Sequence, residues 1–496
     1  MNAPGRLGLG VFSLALLGCP AGSGDSQDGT ESATGSTDTS GGEEPGALEI
    51  EVVHHSGQSM VVDLLFSAPG LSVELTHLDD PGVRSELLDS AGPTRVRVRG
   101  LAPGSAHTLA WVASDAEGQT HEGELELTTL DPQPGYIPSF AIEGEPLPGY
   151  LLMDHMSIVP GYASLFVVDG QGTTRWHIGR PAPQFGADSV FGAAKLSAEG
   201  NLSYVRANSM YVIDELGNEQ LRINSPTLGV AGLHHELRPL DNGNYLSMSY
   251  IFQDVEDGEP EPRHVAGDLL LELSPAGEIV WQWNSFEHLD PLRERDGYDF
   301  LITNPATGQS AFDWTHGNAL IYEPETDSYL FSTRNQDWII RIDRQSGEIV
   351  WRLGDEGDFS LESGEWFFHQ HTPQWQPDGS LLLYDNGIGN PYLDDDLEHS
   401  RAVRFVLDED SMSATQVWED AEEPFVAPIG GDTDRFDAGR VMITDSSRDM
   451  LEGEMHARIR LIEEAQPAEA RWTLTTEALS FVYRSTYTER LPGQPE

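Results

Sequence analysis

From Leu48 onward the chain is a series of short segments in which apolar and polar residues alternate, separated by Gly, Pro, Asn and Asp turns. A period of two turns one face of a segment inward, so such segments predict strands. LEIEVV, VVDLLF, TRVRVRGL, HTLAWVAS and GELELTTL, between Leu48 and Leu130, predict one all-β unit. From Tyr150 the pattern itself repeats: a strand, a turn with Gly, an apolar strand, a third strand ending near Asp, and a strand ending in Trp. Six copies can be traced, opening with GYLLMDHM, AKLSAEGNLSYV, HHELRPLDNGNYLSMS, HGNALIYEPETDSYLF, HTPQWQPDGSLLLYDNG and GGDTDRFDAGRVMITDSS. Trp176, Trp281, Trp351, Trp418 and Trp472 close five of them, and Leu221 stands in that place in the second. Four-stranded units of about 40–50 residues predict a six-bladed β-propeller. Two insertions, Ser285 to Phe312 and Gly354 to Phe368, precede the fourth and fifth copies and are expected together on one face, as a lid.

The first residues follow a different pattern. Met1 to Arg6 carries one charge and Leu7 to Leu17 is small and apolar, too short to span a bilayer. Leu16-Leu17-Gly18-Cys19 resembles a bacterial lipobox, which implies lipid attachment at Cys19, the chain's only cysteine. Pro20 rather than Asp follows, and by that resemblance the location is the cell envelope, at the outer membrane. The stretch after it is Ser, Thr, Gly, Asp and Glu with almost nothing to bury, a disordered tether. The expected organisation is therefore a signal segment 1–19, a tether 20–46, a small β-sandwich 47–131 and a propeller 140–490.

Charge narrows the partners. With 28 Lys and Arg against 82 Asp and Glu, the formal net charge is -54, which repels nucleic acid. Asp394, Asp395 and Asp396 offer oxygens to Ca²⁺, but no EF-hand spacing accompanies them.

Within the repeats, histidines recur at one phase. His235 lies eight residues before Gly243 and His371 eight before Gly379, while His316 opens the fourth copy. Gly431 holds the same offset from Gly439 in the sixth, with Thr433 two residues on. First strands of propeller blades line the central channel, so these histidines are expected at one mouth of it. A lone His at a strand start is usually a hydrogen-bonded turn residue, but three in consecutive units at one phase imply a site. A three-histidine zinc centre is one reading. Against it, no carboxylate obviously pairs with the cluster, and Arg334 on the second strand of the fourth unit puts a cation close by. Arg334 with neutral imidazoles suits a small oxyanion better, so no metal or cofactor is expected.

The motifs DWTHGNAL, STRNQDWIIRIDRQSGEIVWRLG, QHTPQWQPDGSLLLYDNG and SRAVRFVLDED resemble the bacterial arylsulfate sulfotransferases, over roughly Pro148 to Leu474. The segment LAPGSAHTLAWVASDAEG, ending in ELTTL, resembles a fibronectin type III domain. The first resemblance implies a six-bladed propeller that passes a sulfuryl group from an aryl sulfate donor to a phenolic acceptor through a sulfohistidine. It places the nucleophile at His371, in QHT, rather than His369. Supporting roles fall on His316, Arg334 and His235, with Asn318 and Thr433 as substrate-binding positions. His316 or His235 would move the proton of the phenolic oxygen. A homodimer is left open. The competing functions are an aryl sulfate hydrolase using the same site and a non-catalytic propeller that binds a protein or glycan.

Overall fold

Alternating apolar residues in the early part of the chain pair into two sheets. The computed structural model describes residues 48–89, 91–132, 137–159, 161–182, 191–293, 295, 301–394, 397–420 and 422–496. Cys19, the tether 20–46, and Asp395 and Asp396 lie outside the described residues. One early sheet joins Ile50–His55, Gln58–Phe66, Thr94–Arg99 and Arg84–Leu88; the other joins Ser72–His77, Ala106–Ser114 and Thr120–Thr128. Val62, Leu64, Phe66, Val96, Val98 and Leu109 form their shared core. The strands at 72–77 and 84–88 go unannounced in the sequence pattern because much of each is exposed and few of their residues are apolar. His107 is buried, with Nδ1 3.0 Å from His77 Nε2.

Beyond residue 140 the chain remains all-β, and among the described residues it forms six further sheets, mainly antiparallel. The strands Tyr150–Ser157, Gly192–Leu196, Leu233–Pro239, Gly317–Glu323, His371–Trp375 and Asp432–Asp437 open the six in turn, and each touches the next. The circuit closes through the end of the chain. Ser485–Thr488 pairs with Tyr150–Ser157 and also touches Asp432–Asp437. Phe140–Gly144 in turn pairs with the outer strand Gln466–Thr476 of the last sheet. Segments remote in sequence therefore seal the first sheet to the last. Among the described residues no helix is long and apolar enough to cross a membrane.

The recurring tryptophans hold neighbouring sheets together. Trp176 Nε1 donates to Glu215 O (2.7 Å), Trp281 to Arg344 O (2.9 Å) and Trp418 to Glu464 O (3.1 Å). Each acceptor lies at the last hairpin of the following sheet. Trp472 makes the same bond from the sixth sheet back to Gly170 of the first (2.9 Å). An indole suits this position because its body fills the gap between sheets while its one N–H satisfies a buried carbonyl. The early sheets dock on the same region: Arg97 and Arg99 both reach the carboxylate of Glu215, and Tyr150 donates to Gly82 O (3.1 Å).

The insertions before the fourth and fifth first strands do meet. Arg295 pairs with Asp355 (2.9 Å) and with Asp337 (3.0 Å), and Tyr392 donates to Asp355 (2.9 Å).

Because Trp472 makes the closing tie, Trp472→Ala should cost about 3–5 kcal/mol as a buried large-to-small change. Trp472→Phe should cost about 1–3 kcal/mol for a carbonyl left without its donor. Urea unfolding midpoints of the two variants against the parent protein measure both, and unchanged midpoints would show that this tie carries no stability.

Candidate active site

The site begins with a backbone irregularity repeated at the heads of the opening strands. Pairing slips between Gly192 and Lys195, His234 and Leu237, Gly317 and Ala319, and His371 and Gln374. Each slip leaves one extra residue on the opening strand, or two between His234 and Leu237, a bulge that re-aims side chains. Left-handed backbone accompanies it at Ala193 (φ 54°), His235 (φ 54°), His316 (φ 46°) and Thr372 (φ 44°). A non-glycine residue in that region costs energy and persists only where its surroundings hold it. The second sheet has the irregularity without the chemistry, since Ala193 occupies the position. In the sixth, Gly431 (φ 127°) takes the corresponding place, and a Cβ there would lie 2.2 Å from the Tyr384 ring.

Three of the turned segments bring their imidazoles together. The His235 and His316 rings lie 4.9 Å apart, edge to face. Tyr483, from the closing C-terminal segment, sits between the others, 5.7 Å from His235 and 6.1 Å from His371. Arg334 follows immediately after the strand Ser328–Thr333 rather than lying on it, as the first residue of a 3₁₀ turn. It is buried, with Nη1 donating to Asn335 Oδ1 (2.7 Å) and Nη2 to Pro428 O (3.2 Å). Burial pulls its pKa down to about 10, against the opposing pull of Asp313 and Asp337, so it stays a cation at neutral pH.

The tautomer of His371 follows from its neighbour Asn386. The Asn386 amide nitrogen donates to Ala427 O (2.7 Å) and Gly430 O (2.8 Å), which uses both its hydrogens. Its oxygen must then face His371, whose Nδ1 lies 2.7 Å away. An amide oxygen only accepts, so Nδ1 carries the proton and Nε2 keeps its lone pair. Burial, then the Arg334 guanidinium, holds His371 well below the ordinary histidine pKa, with the Asn386 bond acting the other way. The result is a neutral imidazole whose Nε2 is free to act as a nucleophile. The YDNG turn sets this up: Asp385 accepts from Phe368 N and Gly387 N (both 2.9 Å), and a Cβ on Gly387 would lie 1.8 Å from His399 O.

Carboxylates stand behind the other two histidines, contrary to the sequence-based expectation that none pairs with the cluster. His316 Nδ1 is hydrogen-bonded to Asp313. His235 Nδ1 lies 2.8 Å from His234 Nδ1, and His234 Nε2 lies 3.1 Å from Asp268. Burial, then the positive charge that His316, His234 and His371 can carry, keeps His235 far below the usual histidine range. Among the described residues, no three His, Cys, Asp or Glu side chains are grouped as metal ligands would be. Asn318 spends an amide hydrogen on Gln370 O (2.7 Å), bracing the segment that leads into His371. Thr433 Oγ1 is buried with no hydrogen-bond partner among the described residues. His369 Nδ1 donates to Ile388 O (2.9 Å), which turns this ring to a different task from that of His371. Trp314, Phe367 and Phe368 are core residues, and Tyr392 is exposed.

Residues 152–484 match the family model described as Arylsulfotransferase (ASST). The chain belongs to this family. It is 23% identical over 331 residues to the arylsulfate sulfotransferase AssT of Escherichia coli O6:H1, covering 53% of this chain and 54% of that protein. It is 21% identical over 328 residues to the AssT of Lelliottia amnigena, with the same shares of 53% and 54%. The chain thus spans about half the length of the curated relatives it matches. Among solved structures, a Bacteroides caccae protein of unknown function aligns at 12% identity and a TM-score of 0.41, over 67% of this chain and 94% of that one. The WD40 domain of Toxoplasma gondii coronin aligns at 9% identity and a TM-score of 0.33, over 70% and 77%.

Several site residues were missed by the sequence reading. Asn386 and Asp313 lie inside quoted motifs but carry no role there. Tyr483 and Arg484 lie past the last recognised repeat, and Arg484 donates to Glu236 (3.1 Å) and to Asn318 O (2.5 Å).

Titration of ¹⁵N-labelled histidines checks the electrostatics directly. An ordinary imidazole protonates with a midpoint of ~6.5. His371 should instead stay neutral, with its proton on Nδ1, at acid pH where an ordinary imidazole is already largely protonated. A midpoint near the ordinary value would contradict the burial argument.

Proposed function

We propose that the six sheets are the blades of a β-propeller, that the smaller unit before it is a fibronectin type III-like sandwich, and that the propeller's central mouth transfers sulfuryl groups between phenols. In this reading His371 Nε2 attacks the sulfur of an aryl sulfate, the S–O bond to the aryl group breaks, and a sulfohistidine forms. A phenolic acceptor then attacks the same sulfur, the S–N bond breaks, and a new aryl sulfate leaves. The observation that carries this reading is the locked tautomer of His371, since a buried neutral imidazole with a free Nε2 beside a guanidinium has the form of a nucleophile poised for an anionic group.

The supporting residues fit the charge that develops. By analogy with phosphoryl transfer, most of the barrier is lowered by placing donors around the three equatorial oxygens. Arg334 supplies a fixed cationic fork and Thr433 an unengaged hydroxyl. His316, oriented by Asp313, stands beside His235 at the same site. Asn318 acts in this account mainly by holding the segment before His371, a change from the direct donor role its motif implies. Proton transfer at the phenolic oxygen falls to the adjacent rings of His235 and His316. The donor carries a single negative charge, so the account needs no metal. The same proposal includes attachment of Cys19 to lipid in the bacterial envelope, which rests on the sequence signal, and leaves assembly as a homodimer to direct measurement.

The test is a burst experiment with 4-nitrophenyl sulfate. Without acceptor, one equivalent of nitrophenolate per protein should appear rapidly, and turnover should then depend on added phenol. His371→Asn should abolish both phases, a loss of at least about 10⁴-fold for removal of a covalent nucleophile. Steady turnover without any acceptor would make the protein a hydrolase, and turnover surviving in His371→Asn would remove the assigned nucleophile.

A further inference from the structure

Resting on the sulfuryl-transfer reading above, we propose that Asp268 and His234 form a proton store for His235, and that His235 Nε2 exchanges this proton with the phenolic oxygen. Neither His234 nor Asp268 touches the sulfuryl group in this account; both act through His235.

The chain of contacts defines the protons. Asp268, on the strand Arg263–Leu273, is buried, and its Oδ2 accepts from Thr315 Oγ1 (2.5 Å) and Gly317 N (2.7 Å). Burial alone would raise its pKa, but bonding to His234, Thr315 and Gly317 holds it below the usual carboxylate value, so it is ionised. A carboxylate only accepts, so the His234 Nε2 that faces it at 3.1 Å carries hydrogen. The two atoms stand close without completing a hydrogen bond in this geometry; contacts of catalytic groups are often poorly aligned until substrate binds. His234 is fixed in plane by stacking on Tyr250, ring centres 3.9 Å apart. Its Nδ1 is then a lone pair, and the 2.8 Å contact to His235 Nδ1 is attractive only if His235 donates. His235 Nε2 is left unprotonated on the side of the His316 ring, able to accept the hydrogen of a phenol.

The steps balance. In the acceptor half-reaction the phenol O–H bond breaks and its hydrogen passes to His235 Nε2. The Nδ1 proton of His235 moves to His234 Nδ1, and the phenolate oxygen bonds to sulfur as the S–N bond to His371 breaks. Positive charge comes to rest on His234, against the Asp268 carboxylate and away from His316, His371 and Arg484. The donor half-reaction starts from the form in which His234 already holds the extra proton, taken from solvent before the first turnover: His234 Nδ1 returns it to His235 Nδ1, and His235 Nε2 gives its hydrogen to the departing phenolate. One proton and one sulfuryl group are exchanged per cycle, and nothing else is consumed.

His234→Phe keeps the ring that stacks on Tyr250, and His234→Asn keeps an acceptor for the His235 N–H, but neither can hold the proton. Phenyl sulfate and 4-nitrophenyl sulfate serve as paired donors, because nitrophenolate is a far weaker base and leaves without a proton. Both variants should lower kcat/KM for phenyl sulfate about 100-fold. The nitrophenolate burst should remain within about threefold of the parent in rate and unchanged in amplitude. Equal losses on both donors would mean damage to the site, and a His234→Asn protein equal to the parent would mean orientation alone; either overturns the relay, as does the absence of any effect. A parent protein that shows no burst would instead remove the sulfuryl-transfer reading on which the relay stands.

Discussion

The bulge at the head of four of the six opening strands is the constraint on which the site depends. A regular strand would alternate its side chains between the two faces of a sheet. The bulge and the left-handed residue beside it break that alternation where four successive sheets reach the centre. Side chains that would have packed between sheets are directed instead at the site shared by His235, His316 and Tyr483. The strain is tolerable because the strands beneath are held by full sheets and by tryptophan ties, and the circuit is closed by segments from both ends of the region.

Electrostatics then differentiate histidines that look equivalent in sequence. His371 meets an amide oxygen at Nδ1, His316 a carboxylate, and His235 another imidazole. A neutral acceptor leaves His371 uncharged and nucleophilic, whereas a carboxylate stabilises the charged form of its partner. The cation cost of gathering three imidazoles near Arg334 and Arg484 is met by burial, which favours neutral rings, and by Asp268, Asp313 and Glu236 placed behind them. Positive groups point inward at the mouth while the chain as a whole carries a formal charge of -54. Screening over ~8 Å at physiological salt lets the local groups dominate for a bound anion.

Much of this was legible in the sequence, and what was not has physical causes. The six strand-rich units and their closing tryptophans could be read because a repeated period leaves a strong signal even when single strands are short. The shared phase of His235, His316 and His371 could be read for the same reason. Asn386 was not, because its role depends on two carbonyls, at Ala427 and Gly430, some forty residues downstream. Asp268 was hidden for a similar reason, lying mid-strand in an apolar run and meeting His234 only through the fold. Ser485–Thr488 and Phe140–Gly144 were missed because their patterning belongs to sheets begun elsewhere in the chain. The two early strands at 72–77 and 84–88 carry only two apolar residues each, too few to stand out as strands.

The central claim is that one particular nitrogen, Nε2 of His371, carries the group in transit. Mixing the protein with an aryl sulfate in the absence of acceptor, then locating the sulfuryl group by peptide mass mapping and by ¹⁵N NMR of labelled histidines, tests it most directly. The account predicts one sulfuryl group per chain, on the peptide bearing His371 and bonded at Nε2. A stable adduct on any other residue, or at Nδ1, would contradict it.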